Sequence, residues 1–344
     1  MNKRHNNFSV YNKAIVIIFA VLFVLLISVT FILEQQKLLI APQFVSSISF
    51  DEKTRFFREV KPKKSQILAV GSSITLNHLD PTSFQYKNGK QISFTNFASF
   101  GLQIGELKYL IDFAVKLIDK PSIVIISSAP VDFQICSPPA QADGKYVSLK
   151  TFNREDAVDY IVSDTPAVYY HAKYRGLWRM INPTLLLEVR RQRTTNYAND
   201  SLKFDSSGSV LLQVPKEKIS STRWQGKNWA QVMSQLNTKH ACYDSLQELA
   251  NYIEQNHMRL VFVLSPIRQG YLNEFAPSGE SIKYHENRIA AILRKSNSIL
   301  IDAHSNLQLS DEYFVDAFHL NKTGAQALTK HISENLNQYF RDYQ

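Results

Sequence analysis

The chain has 344 residues, 44% of them apolar, which is enough for one large domain or two small ones and excludes a disordered polypeptide. Its net charge of +9 comes from scattered basic residues with no nucleic-acid-binding motif. That pattern excludes nucleic acid as a partner and suits an anionic membrane surface or an acidic polymer. Two cysteines, Cys136 and Cys242, are too few for a disulfide framework and fit either one bridge or two buried thiols. No Cys/His cluster has zinc spacing, so neither a metal nor a cofactor is expected.

In chain order, the first element is a run of 20 residues without a charge, from Ala14 to Leu33. As a helix rising ~1.5 Å per residue it covers roughly 30 Å, the thickness of a bilayer core. A secretory leader has a shorter apolar stretch and a small-x-small cleavage site. Here the run is long and Glu34-Gln35-Gln36-Lys37 follows, so an uncleaved anchor is expected. Lys3, Arg4 and Lys13 precede the run and no acid does. The positive-inside bias therefore predicts a cytoplasmic N-terminus over 1–13, a transmembrane anchor over 14–33 and everything later outside the membrane. Residues 34–64 read as a stalk.

Beyond the stalk, Gln66 to Val70 is a short apolar run ended by Gly71, as a buried parallel strand requires. Ile92 to Asn96 reads as a second strand, Ile104 to Ile118 as a helix and Ile123 to Ile126 as a third strand. Residues 133–240 break the alternation; rich in Tyr, Arg and Trp, they are expected as a partly helical insertion over the strand ends. After it come a helix from Leu246 to Ile253, a strand from Leu260 to Leu264, a helix with Ile282, Ile289, Ile292 and Leu293 on one face, a strand from Ser298 to Asp302, and a helix from Thr323 to Tyr339. Strands alternating with helices predict an α/β fold, a three-layer sandwich on a mainly parallel five-stranded sheet over 65–344.

Two short patterns carry chemistry. Gly71-Ser72-Ser73 directly follows the first strand, where a tight turn exposes a hydroxyl, and Asp316-Ala317-Phe318-His319 precedes the last helix. A serine is a poor nucleophile until a base takes its proton, and an acid three residues before a histidine can orient the imidazole and stabilise its charged form. Either pattern alone is common: Ser73 as a plain turn serine and His319 or Asp316 as helix-start residues are the bland alternatives.

Together, strand-Gly-x-Ser and Asp-x-x-His-Leu-Asn-x-x-Gly (Asp316 to Gly324) resemble the SGNH/GDSL hydrolase superfamily over roughly 66–340. The anchored branch, with DltD-like and alginate-acetylation-type proteins, is the most similar. The resemblance implies Ser73 as nucleophile, His319 as base and Asp316 as its orienting acid. Its second block falls on Asn96 to Gly101, which puts Ala98 where a glycine amide holds the oxyanion, with Asn96 as a strand-end hydrogen-bonding residue. Its third block supplies an asparagine, whereas this chain has Ser127 to Asp132 there and Ser128 is the candidate substitute. The resemblance further implies an extracytoplasmic O-acyltransferase or esterase on a cell-envelope polysaccharide or teichoic-acid-like polymer, beside a membrane-bound O-acyltransferase.

Arg268, after the strand that ends at Leu264, can be a clamp for an anionic substrate group or a solvated loop residue. Lys61, Lys63 and Lys64, and Arg190, Arg191 and Arg193, read as solvated faces. His78, His171, His240, His257, His285, His304 and His331 read as surface or structural. The rival functions are a catalytically impaired scaffold that binds a polymer or partner enzyme, and a lipase or esterase acting on small substrates.

Overall fold

The computed structural model describes residues 3–62, 64–84, 91–136, 148–198, 200–215, 227–238 and 240–340. By its contacts the chain divides into two units, Met1–Ile40 with Leu177–Arg190, and Ala41–Gly176 with Arg191–Gln344.

In the first unit, helix α1 (Lys3–Gln35) extends the expected anchor at both ends. Its stretch Val10–Gln35 is long and apolar enough to cross a membrane. Helix α7 (Leu177–Met180) and most of α8 (Pro183–Thr194) complete this unit.

The second unit holds the sheet. Its strands are β1 (Ile67–Ala69), β2 (Phe94–Asn96), β3 (Ile123–Ser128), β4 (Arg259–Leu264) and β5 (Ile299–Asp302). All pair in parallel, in the order β2-β1-β3-β4-β5. The strands are apolar on both faces because both faces are covered. Leu68, Val124, Ile126, Leu260 and Phe262 face one core, with α4 (Leu107–Ala114), α10 (His240–Gln255) and α12 (Glu280–Leu293). Ile67, Ala69, Ile125, Val261, Val263 and Ile301 face the other, where α14 (Lys322–Phe340) contributes Leu328, Ile332 and Leu336. Short helices α3 (Ser73–His78), α11 (Gln269–Phe275) and α13 (Ala303–Asn306) follow the carboxyl ends of β1, β4 and β5. The chain leaves β1 for β2 on one side and then passes to β3 on the other, and this reversal marks where open α/β sheets bind ligands.

The expected stalk does not form. Helix α2 (Ile48–Val60) is capped by Ser47 and buries Phe50 and Phe57 in the main core. Its charges conceal this in the sequence. Asp51 accepts the N–H groups of Phe44 and Val45 at 2.9 and 3.1 Å, and Glu52 accepts that of Ala41 at 2.8 Å. Lys53 is buried, with Nζ donating to the carbonyls of Asn96 and Gly208. Arg193 is likewise not a solvated charge, since its guanidinium closes on buried Glu52 at 2.7 Å. Lys61 donates to the Ile161 carbonyl at 2.6 Å, and Lys64 pairs with Asp119; Lys63 lies outside the described residues.

The insertion is partly helical where it is described, with α5 (Arg154–Val162), α6 (Pro166–Arg175), α7, α8 and α9 (Lys227–Ser234). A disulfide joins Cys136 at its start to Cys242 on α10, with Cα atoms 4.8 Å apart.

Candidate active site

The turn after β1 needs its glycine. Gly71 has φ +156°, and a Cβ there would come within 2.7 Å of the Thr75 Cβ, so no larger residue fits without displacing α3. Thr75 ties α3 to β3, its Oγ1 donating to the Ser127 carbonyl at 2.7 Å and accepting the Ser127 N–H at 3.1 Å. Ser72 caps α3, accepting the Ile74 N–H at 3.0 Å. Ser73 is then the first helical residue and half-buried, and its own N–H has no carbonyl within the helix to meet.

The C-terminal motif is a tight loop closed by a bridge between Phe314 and Leu320. Asp316 Oδ1 accepts the N–H groups of Phe318 and His319 at 2.9 and 2.8 Å. Leu320 anchors the loop in the core, and Asn321 caps α14, accepting the Gly324 N–H at 3.0 Å. Every residue named in the Asp-x-x-His-Leu-Asn-x-x-Gly pattern thus has a local job.

The two motifs meet. Ser73 Oγ lies 2.8 Å from His319 Nε2, and His319 Nδ1 lies 2.8 and 3.0 Å from the Asp316 carboxylate oxygens. With Nδ1–H donating to Asp316, the Nε2 lone pair faces the serine hydroxyl. Burial pushes the Asp316 carboxyl up, but the His319 ring and the hydrogen bonds of the loop hold it down at about 2. Burial opposes charge on His319, yet Asp316, and Asp132 beyond it, lift its pKa above the ordinary value. The pair therefore favours a proton on the imidazole, as a general base requires once it takes the serine proton.

The expected oxyanion donors are placed differently. The Ala98 N–H donates to Asn96 Oδ1 at 2.9 Å, because Asn96 forms a local side-chain turn with the residue two positions on. Asn96 is a buried strand-end residue, as expected, its Nδ2 donating to the Thr75 carbonyl and Ser209 Oγ at 3.2 and 3.0 Å. Ser128 does not stand in for the third-block asparagine, since its Oγ donates to Asp132 Oδ2 at 2.9 Å. Arg268 is neither solvated nor open to a substrate anion. It is 3% exposed, with Nε 3.0 Å from Asp311 and its backbone N–H donating to the Ala317 carbonyl at 3.0 Å, which braces the Asp316–His319 loop.

Two residues of this region escape a sequence reading. Asp132, in the short turn Pro130–Phe133, is buried and accepts from Ser72, Ser128 and the Ala129 N–H. Burial raises its carboxyl to about 6 despite those bonds. Its one legible signal is its place in the third block. His78 lies buried at the end of α3, its ring edge-on to that of His319 with centroids 6.5 Å apart. Nothing in its sequence spacing marks it. Among the described residues no group of three or more His, Cys, Asp or Glu side chains is arranged to hold a metal ion.

Compared with known proteins, the chain matches no family model and no curated sequence. The fold and the side-chain geometry are what bear on function.

Proposed function

We propose that the chain is a membrane-anchored, extracytoplasmic serine acyltransferase or esterase of SGNH type that acts on O-acyl groups of a cell-envelope polysaccharide or teichoic-acid-like polymer. The observation that carries the chemistry is the 2.8 Å contact between Ser73 Oγ and His319 Nε2, with Asp316 on the far nitrogen. Ser73 attacks the acyl carbonyl while His319 takes its proton, and the Ser73 N–H donates to the oxyanion. Collapse expels the leaving group, which receives the proton from His319. The acyl-serine then passes to a sugar hydroxyl or to water.

The polymer, the outward orientation and a membrane-bound O-acyltransferase partner come from the family resemblance and the anchor. Tethering raises the encounter rate with a membrane-embedded donor without any new contact, which favours transfer over hydrolysis. A test incubates the full-length protein in detergent with an activated acetyl ester, with and without envelope polysaccharide. The expected result is a burst of leaving group that Ser73→Ala lacks, followed by acetylated polymer. Release of acetate alone would reduce the proposal to an esterase.

A second reading, a scaffold that binds a polymer or a partner enzyme, is favoured by one observation. The Ala98 amide, where the resemblance expects an oxyanion donor, is already engaged by Asn96 at 2.9 Å. Loss of one oxyanion donor typically costs ~10²–10³ in rate, which slows the burst of an enzyme, whereas a scaffold would show no burst at all.

A further inference from the structure

We propose that His78 is a positioning residue that, from the nucleophile's own helix, holds the backbone on both sides of His319 and so fixes the imidazole against Ser73. The inference rests on the reading of Ser73, His319 and Asp316 as the reacting groups.

His78 Nε2 accepts the Leu320 N–H at 3.0 Å, and the Phe318 backbone also hydrogen-bonds the ring. On the other side Nδ1 meets Ser265 Oγ at 3.2 Å, just past β4, and Ser265 Oγ meets Ser127 Oγ on β3 at 2.6 Å. The His78 carbonyl accepts Thr329 Oγ1 of α14 at 3.3 Å. The residue is therefore fixed from two strands and a helix, and it passes that rigidity to the two residues that flank His319. Because Ser73 and His78 begin and end α3, any displacement of the helix carries nucleophile and base loop together. The distance between Ser73 Oγ and His319 Nε2 is preserved.

The ring must also stay neutral to do this. A proton on Nε2 would face the Leu320 N–H donor to donor, and a second positive charge would oppose His319 taking the serine proton. Burial, and then His319, hold the His78 pKa well below the ordinary imidazole value against the pull of Asp316 and of the Phe318 backbone.

The test measures kcat and KM for an activated acetyl ester on the full chain in His78→Phe and His78→Gln. Phenylalanine fills the space without an acceptor; glutamine supplies a carbonyl for the Leu320 N–H and a donor for Ser265. Misplacing a reacting group by about 1 Å costs roughly 10²-fold. His78→Phe is therefore expected to lose kcat by about tenfold to hundredfold with little change in KM, and His78→Gln to recover most of it. A folded His78→Phe with the wild-type kcat would overturn the proposal. If that variant does not fold, a folded His78→Gln as inactive as Ser73→Ala would overturn it instead. An inactive wild type would be a failure of the catalytic reading, not of the role of His78.

Discussion

The side-chain oxygen of Asn96 accepts the N–H of Ala98 at 2.9 Å, and the same amide group donates to Thr75 on α3 and to Ser209 in the insertion. Lys53 of α2 donates to the Asn96 backbone carbonyl at 3.0 Å. One buried asparagine thus joins the end of β2, the nucleophile helix and the insertion. Asn96→Ala leaves a backbone N–H, a carbonyl and a hydroxyl without their partner. It is expected to destabilise the domain by about 1–3 kcal/mol, read as a lower midpoint in denaturant. An unchanged midpoint would mean that these bonds do not hold the site together.

Activity should depend on pH through His319. The base must be neutral, and its pKa lies above the ordinary imidazole value, so kcat/KM is expected to fall as pH drops through that raised pKa. Asp132 helps lift it. Asp132→Asn removes a negative charge and should move the acid limb to lower pH. A limb that moves to higher pH, or stays in place, would contradict the electrostatic account.

Asp132 also couples pH to stability. Its folded-state carboxyl titrates at about 6, above the ordinary ~3.9, so the folded state binds the proton more tightly than the unfolded chain does. Its contribution is fully present below the unfolded value and is lost as pH rises through about 6. Thermal midpoints compared between pH 4 and 7 should show Asp132→Asn gaining on the wild type as pH rises, by roughly 2 kcal/mol over the window. Asp316, held near 2, has the opposite sign: its stabilisation is present above the ordinary carboxylate pKa and is lost only as pH falls through about 2.

Much of this fold was legible because its strands are short, apolar and punctuated: Gly71 ends the first, and Ser265-Pro266 ends the fourth. Ser73, His319 and Asp316 could be named because Gly-x-Ser directly after a strand and Asp-x-x-His ahead of the last helix are short, local patterns. Helix α2 was not legible, since Asp51, Glu52 and Lys53 look solvated until the backbone groups and the arginine that satisfy them are seen. His78 and Asp132 failed for a related reason. Their roles come from partners such as Ser265, Leu320 and Ser72 that lie far away along the chain. The bond from Asn96 that engages the Ala98 amide was missed for a different reason: the two residues are neighbours, and only a local side-chain turn had to be recognised.

The disulfide gives a separate check. Cys136 and Cys242 are 106 residues apart, and closing a loop of about 100 residues restricts the unfolded chain by roughly 4–5 kcal/mol in the chain-entropy model. The double variant Cys136→Ser, Cys242→Ser should melt several degrees lower than the oxidised protein, and reductant should lower the wild type but leave the variant unmoved. Equal melting of oxidised and reduced wild type would contradict a closed bridge.

The most direct measurement is covalent labelling of the full-length protein with an activated phosphonate ester, followed by mass mapping of the modified peptide. A single adduct on the peptide carrying Ser73, lost in Ser73→Ala and slowed by at least ~10²-fold in His319→Ala, is the predicted result. Phosphonylation elsewhere that proceeds unchanged in Ser73→Ala, or none at all in the folded protein, would contradict it.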